Sequence, residues 1–337
     1  MSLPRYPRYK DSGVKWLGHV PGHWGVKRLR YVAELNPSKS EINALDRGTM
    51  VSFMPMDAIG EDGGLNLGQE RHISEVETGY TYFRDGDVTV AKITPCYENG
   101  KGALMQGLTN GVGFGTTELI VARPRPGELI GSYLHYLFIS PDFRAIGESH
   151  MYGAGGQKRV PDSFVRDFAT AFPPLPEQSQ IVAFLDHETA KIDALVAEQR
   201  RLMELLKEKR QAVISHAVTK GLNPDVPMKP SGIEWLGDVP EHWEVGGLTR
   251  FIGPVVDYRG RTPTKVDEGI FLVTARNVRN GKIDYEASQE FVDHDSAASL
   301  LARGNPALGD VLFTMEAPLG QVAMIDRTDI ALATWIL

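Results

Sequence analysis

A single cysteine, Cys96, among 337 residues leaves the chain without an internal disulfide framework and without the thiolates of a multi-cysteine zinc site. It reads as a small buried hydrophobe. Long apolar runs are missing too. Charges interrupt every stretch well short of the roughly 20 residues a membrane helix needs, and the opening MSLPRYPRYK has no apolar signal core. The expectation is a cytoplasmic protein with no membrane partner. Enzyme signatures are equally scarce: there is no GxxxxGK[ST], no strand-led GxGxxG, no HExxH and no Asn-Pro-Pro-aromatic tetrad. Gly153-Ala154-Gly155-Gly156 is glycine-rich, but a basic loop follows where a phosphate-binding helix would begin. No carboxylate pair stands at a spacing that assigns acid–base or metal chemistry. Nor is there an excess of positive charge. The net charge is -7, with 19 Lys+Arg against 19 Asp+Glu over residues 1 to 175, 7 against 7 over 176 to 220, and 10 against 17 over 221 to 337. The acidity is confined to the C-terminal portion, so the first part can still present a basic face to a polyanion.

What is present is an ordinary globular composition, 42% hydrophobic and 23% charged, long enough for two cores. The organising feature is a repeat. At an offset of 219, KDSGVKWLGHVPGHWGVKRL (10 to 29) falls on KPSGIEWLGDVPEHWEVGGL (229 to 248) with 12 of 20 positions identical. Trp16, Gly18, Pro21, His23 and Trp24 match Trp235, Gly237, Pro240, His242 and Trp243. Large aromatics beside a proline read as loop anchors, and the histidines, with no acid or nucleophile at catalytic spacing, read as structural. A weaker match follows at an offset of 223, Gly86-Asp87-Val88 with Gly309-Asp310-Val311. The period far exceeds that of solenoid repeats, so this is a duplicated domain whose two copies share a frame and differ between the anchors.

Within the first copy, Met50 to Met56, Asp87 to Ile93 and Thr117 to Arg123 read as strands, separated by turn clusters such as GEDGG and ENGKG. A helix is expected from Ile130 to about Glu148, and residues 153 to 161 read as a flexible loop carrying Gln157, Lys158 and Arg159. After PPLPEQ, Leu185, Ile192, Leu195, Leu202, Leu206 and Val213 follow a heptad seam, with Gln199 and Lys209 on or near it. A helix from about 176 to 220, opened near Pro176 and ended by Gly221 and Pro224, would be roughly 65 Å long. Such a seam expects a partner helix in a particular register.

Together these features resemble the specificity subunit of type I restriction-modification systems. The carrying residues are the duplicated WLGxVPxHW, GDVTVAKITPCYENGKGAL (86 to 104), TTELIVARP (116 to 124), MYGAGGQKRVP (151 to 161), PPLPEQSQIVAFLDHETAKIDALV (173 to 196) and LLKEKRQAVISHAVTKGL (205 to 222). The resemblance implies an α+β fold: duplicated target-recognition domains, each a mixed or antiparallel sheet with helices, joined by a long coiled-coil-forming helix. It divides the chain at 1–172, 173–222 and 223–337, the last a partial second recognition domain. It implies a non-catalytic DNA-recognition role in which each domain reads half of a split double-stranded target and the helix sets their spacing, ~10 bp per face. Modification (methyltransferase) and restriction subunits are the implied partners; S-adenosylmethionine, ATP and Mg belong to them, with no cofactor on this chain.

By the same resemblance, DNA contacts fall at Lys92, Thr94, Tyr97, Asn99 and Lys101 and at Gln157, Lys158 and Arg159, residue types suited to base edges and phosphates. Lys27, Arg28 and Arg30 are candidate phosphate contacts outside the shared frame, since their repeat positions are Gly246, Gly247 and Thr249. Against a copy of full length, counterparts of roughly 119 to 220 are missing. The second long helix is among them, which leaves the seam open to self-association. Two other classes remain: a stand-alone DNA methyltransferase or endonuclease, which requires a cofactor pocket, and a coiled-coil scaffold that binds no DNA.

Overall fold

The computed structural model describes residues 5–61, 63–154, 156–253, 255–258, 263–315 and 318–333. Gly155 of the glycine-rich loop and the apolar residues that end the chain lie outside them. Two compact units, Met1–Lys207 and Glu208–Leu337, divide the chain within the long helix.

The first unit has two four-stranded sheets. One runs Glu70–His72, Met50–Met54, Val112–Gly115, Thr81–Arg84, with the middle pair parallel. The other is antiparallel: Ala33–Leu35, Leu119–Pro124, Val88–Ala91, Gly102–Leu104. Both faces of this second sheet are buried, and strand alternation decides what each face meets. Val88, Val90, Ile120 and Ala122 join Leu134, Phe138, Phe143 and Phe164 from the helical layer. Ala91, Ala103, Leu119 and Val121 join Met54 and Phe83 from the other sheet and Ile59 from the turn after its second strand, with Cys96 partly buried against them. The sheet that carries the candidate contacts is thus the middle of three layers.

The helix expected over 130 to 148 is two helices, Gly131–Ile139 and Pro141–Ser149. Pro141 has no N–H to continue the first, and Ser140, in extended backbone, caps the second by accepting from the Phe143 N–H. Apolar periodicity runs through this break, which is why the pattern reads as one element.

The long helix spans Leu175–Lys220, 46 residues. The PPLPEQ entry serves two purposes. Gln178 is fully buried: its amide oxygen accepts from the Ile130 N–H at 2.9 Å, and its nitrogen donates to the carbonyls of Glu128 and Pro173. Glu177 holds the first copy of the repeated loop, accepting from the Tyr6 hydroxyl and from the Trp24 indole at 3.1 Å, with His23 Nε2 at 2.7 Å. In the first copy His23 and Trp24 are therefore anchors, with Trp16 packed on Phe168 at 5.1 Å between ring centroids, whereas Trp235 of the second copy is 81% exposed.

Burial alone would raise the Glu177 pKa. The hydrogen bonds from Tyr6, His23 and Trp24 outweigh it and hold the carboxyl below its ordinary value, while the same carboxylate pushes the Tyr6 hydroxyl up to about 12. A depressed folded-state value means stability that is present above the ordinary carboxylate range and lost as pH falls through the folded value. The urea midpoint of the first unit should therefore drop on acidification below about pH 4.5. Glu177→Gln should lower the unfolding free energy at neutral pH by on the order of 1 kcal/mol and flatten that acid limb. An unchanged acid limb in the variant would assign the pH dependence to another carboxylate.

The second unit repeats the frame. Ser12 N–H bonds to Gly18 O at 2.9 Å and Ser231 N–H to Gly237 O at 3.0 Å; Gly86 N–H bonds to Met105 O at 2.8 Å and Gly309 N–H to Ile325 O at 3.0 Å. Ile270–Val273 pairs parallel with Ile330–Leu332, as Met50–Met54 does with Val112–Gly115. Both matches read from the sequence recur as the same local hydrogen bonds. The second loop holds the other end of the helix, where Lys220 donates to the Leu236 carbonyl at 3.1 Å and to that of Asp238.

Candidate nucleic-acid interface

Three segments of the first unit converge at one end of the middle sheet. Lys92 donates its backbone N–H to the Glu118 carbonyl and accepts from Val160, both at 2.8 Å. Two residues on, Thr94 clamps Lys158: its N–H and hydroxyl both donate to the Lys158 carbonyl at 3.0 Å, and its hydroxyl accepts from the Lys158 N–H at 2.8 Å. Tyr152 and Arg159 exchange backbone hydrogen bonds at 3.1 and 2.9 Å, making a hairpin of the loop between them. Gly153 is required at its base. Its φ is +123°, and a Cβ there would stand 2.7 Å from the Gln157 carbonyl.

The Arg159 guanidinium grips Glu118 in a fork, Nε to Oε2 at 2.9 Å and Nη2 to Oε1 at 2.7 Å. Those hydrogen bonds hold the Glu118 carboxyl below its ordinary range against a smaller effect of burial, and raise the guanidinium pKa. With Arg159 so fixed, Gln157 and Lys158 stand exposed at the hairpin tip beside an exposed Tyr152. Lys92, Thr94, Gln157, Lys158 and Arg159 are thus brought together. The loop expected over 153 to 161 is tied at its base by the Tyr152–Arg159 pair.

Tyr97 belongs elsewhere. It is 1% exposed, its hydroxyl donates to the Phe143 carbonyl at 2.9 Å, and burial pushes its pKa far up. Gly147 makes the room: a Cβ there would overlap the hydroxyl. Tyr97 is a core residue, closed off from DNA. Asn99 and Lys101 brace the turn that follows, Asn99 donating to Glu61 Oε1 and Lys101 to the Met56 carbonyl, each at 3.0 Å. Their polar groups face the first sheet's loop, apart from the hairpin.

Lys27, Arg28 and Arg30 lie along and just after strand Gly25–Arg28, which pairs with Ala169–Phe172. Each faces a carboxylate: Lys27 to Glu128 at 2.5 Å, Arg28 and Arg30 to Asp167 at 3.8 and 2.9 Å. Arg166 shares Asp167 at 2.8 Å, so three arginines converge on one carboxylate and the cluster stays cationic. Surface pairs of this kind are worth about 0–1 kcal/mol and open readily to a stronger anion.

The seam lies open. Residues 189 to 216 of the helix are exposed throughout, including Ile192, Leu195, Gln199, Leu202, Leu206 and Val213, and only Leu185 near the start is half-buried. Val196 and Met203 widen the stripe by one heptad position, beyond what a strict two-stranded seam needs. Among the described residues no helix is long and apolar enough to cross a membrane.

Glu118, Tyr152, Lys39 and Tyr80 escape the motif reading. The one signal for Glu118 is a carboxylate opening the apolar strand of TTELIVARP.

No family model matches the chain. It is 42% identical over 188 residues to the specificity subunit of the type I restriction enzyme EcoAI of Escherichia coli, a match covering 55% of this chain and 31% of the relative. It is 41% identical over 187 residues to that of EcoEI, from the same organism, with the same two shares. The chain spans about a third of the length of these curated relatives. Among solved structures, one determined to explain complex assembly and conformational transition of the type I R-M system superposes with a TM-score of 0.63 at 17% identity, covering 94% of this chain and 75% of that one. The HsdS subunit from Thermoanaerobacter tengcongensis gives 0.52 at 18%, with the same coverages. These two establish the fold, a duplicated α+β architecture with a long helix, and the resemblance read from the motifs is borne out.

Proposed function

We propose that this chain, a relative of the type I restriction enzyme specificity subunits, is a non-catalytic DNA-recognition subunit that reads a split double-stranded target and docks modification and restriction subunits. The observation that carries the proposal is the 42% identity over 188 residues to a subunit named for that task. The first unit reads its half-site with the hairpin tip, Gln157 and Lys158, beside Lys92 and Thr94. The arginines around Asp167 neutralise phosphate. Arg159 is the hairpin's brace, and its own contact with DNA requires Glu118 to release it. S-adenosylmethionine, ATP and magnesium act, in this reading, on the partner subunits. The exposed helix stripe receives those partners. Pairing of two copies through it is the alternative occupant, separable by sedimentation of the chain alone.

The test mixes the chain with its modification subunit and S-adenosylmethionine, selects from a randomised duplex library, and sequences what is retained at two salt concentrations. Enrichment of a split sequence or one half-site is expected to survive the higher salt. No enrichment from an intact complex would leave the scaffold reading, and S-adenosylmethionine binding by the chain alone would favour a methyltransferase. Gln157→Ala should relax one or two base positions, about 1–3 kcal/mol of discrimination each, with the salt slope unchanged. An unaltered selected sequence would remove the hairpin tip from base reading.

A further inference from the structure

We infer that a cleft in the first unit, about 270 Å³ and lined by Asn36, Lys39, Tyr80, Lys92, Thr117 and Leu119, holds one backbone phosphate of the bound DNA. The inference rests on the DNA-recognition reading and adds Lys39, Tyr80 and Thr117 to it.

The cleft lies where the two four-stranded sheets meet. Tyr80 precedes strand Thr81–Arg84 of one, while Lys92 and Thr117 flank strands Val88–Ala91 and Leu119–Pro124 of the other. It adjoins the hairpin through Lys92, whose backbone joins both Glu118 and Val160. A duplex seated on the hairpin tip therefore lays its backbone toward this opening.

Its charge is positive although carboxylates surround it. Glu118 is gripped by Arg159, Glu41 by Arg84 at 3.2 Å and Arg123 at 2.5 Å, and Glu77 by Arg47 at 2.7 Å. Asp162 receives the Asn36 amide at 2.9 Å. Lys39 donates to the Glu77 carbonyl at 2.5 Å and keeps two N–H groups free of that bond. Lys92 lies within electrostatic reach of Glu118. Among the described residues neither lysine has a carboxylate within ion-pair distance, so two ammonium groups face an opening whose nearby acids are already engaged.

The remaining chemistry favours phosphate over a base edge. The one amide in the lining that could pair with an adenine edge, that of Asn36, is used at both ends: its oxygen accepts from the Val121 N–H at 3.0 Å and its nitrogen serves Asp162. What is left is lysine N–H together with the hydroxyls of Thr117 and Tyr80, all able to donate to phosphate oxygen. Tyr80 is half-exposed yet positioned, its ring edge-on to Phe53 at 5.0 Å between centroids, with Arg71 over Phe53 at 5.5 Å.

The experiment uses the assembled complex and a duplex carrying its selected target. Lys39→Gln with Lys92→Gln should reduce the slope of log affinity against log salt by about 0.9, the value for one lost phosphate, and weaken binding about equally on every sequence. Arginine at both positions should restore the slope, which a misfolded variant would not allow. An unchanged slope and affinity would overturn the inference, as would relaxed selection at a single base position, which would make the cleft a base reader. A wild-type complex that binds no DNA would overturn the recognition reading itself, and this inference with it.

Discussion

Changing Leu195 and Leu206 together to glutamate should abolish assembly of the chain with its modification subunit while leaving its own melting temperature nearly untouched. Both side chains are exposed, 64% and 55%, on a helix stretch that no described residue covers. A surface substitution away from caps and cores changes stability by roughly ±0.5 kcal/mol or less, and glutamate is a good helix former. Association is a different matter. A leucine that becomes fully buried contributes about 1.5–3 kcal/mol, and a glutamate in its place puts an unpaired charge into an apolar seam. Two such changes should weaken binding by at least about a hundredfold. Sedimentation velocity of chain and subunit, mixed and separate, reads the effect directly. Gln199→Leu provides the opposite sign: if Gln199 sets register, its replacement should tighten self-association and make it less discriminating. Unchanged assembly in the double glutamate variant would mean that the partners grip the two units and the helix stays bare.

The parts of this architecture that the sequence makes legible are those fixed by local or periodic rules. A heptad spacing sustained from Leu185 to Val213 announces the long helix, and the observed Leu175–Lys220 matches it nearly to the residue. A 12-in-20 identity between two segments announces the duplication, and the same turns recur in both units. The misreadings come from contacts that sequence distance hides. Tyr97 sits among polar, turn-forming residues that suit a DNA-facing loop, but its burial depends on space left by Gly147 and on Phe143 and Phe164, all more than forty residues away. Arg30 reads as a free cation because Asp167, its counter-charge, arrives on a helix next to the strand that pairs with Gly25–Arg28. Arg159 is braced by Glu118 for the same reason. Patterning identifies which face an element buries, whereas the neighbour that neutralises a charge is a property of topology.

Arg123 illustrates that distinction, and its replacement should cost the first unit much of its stability. It lies in the middle sheet at 9% exposure and forks onto Asp87, Nε to Oδ1 at 2.6 Å and Nη2 to Oδ2 at 2.8 Å, while its third nitrogen reaches Glu41 Oε1 at 2.5 Å. Asp87 is fully buried and also accepts from the Arg84 N–H at 2.9 Å, which shapes the turn. Arg123→Met fills much of the volume but strands a carboxylate with one hydrogen bond left from the backbone. Breaking a buried pair from one side costs about 3–5 kcal/mol, because the surviving charge stays desolvated. The urea midpoint of the first unit should fall accordingly. Asp87→Asn in the same chain removes that charge, so the double variant should recover roughly 1–3 kcal/mol relative to additivity. Strict additivity would show that the two side chains do not act as a pair. The corresponding aspartate of the second unit, Asp310, is exposed and accepts from the Ala307 N–H at 2.8 Å in the same turn. Asp310→Asn should therefore cost far less than Asp87→Asn. In both turns the carboxylate serves as a backbone acceptor, and in the first unit the Arg123 fork also ties the middle sheet through Glu41 to the segment that borders the cleft.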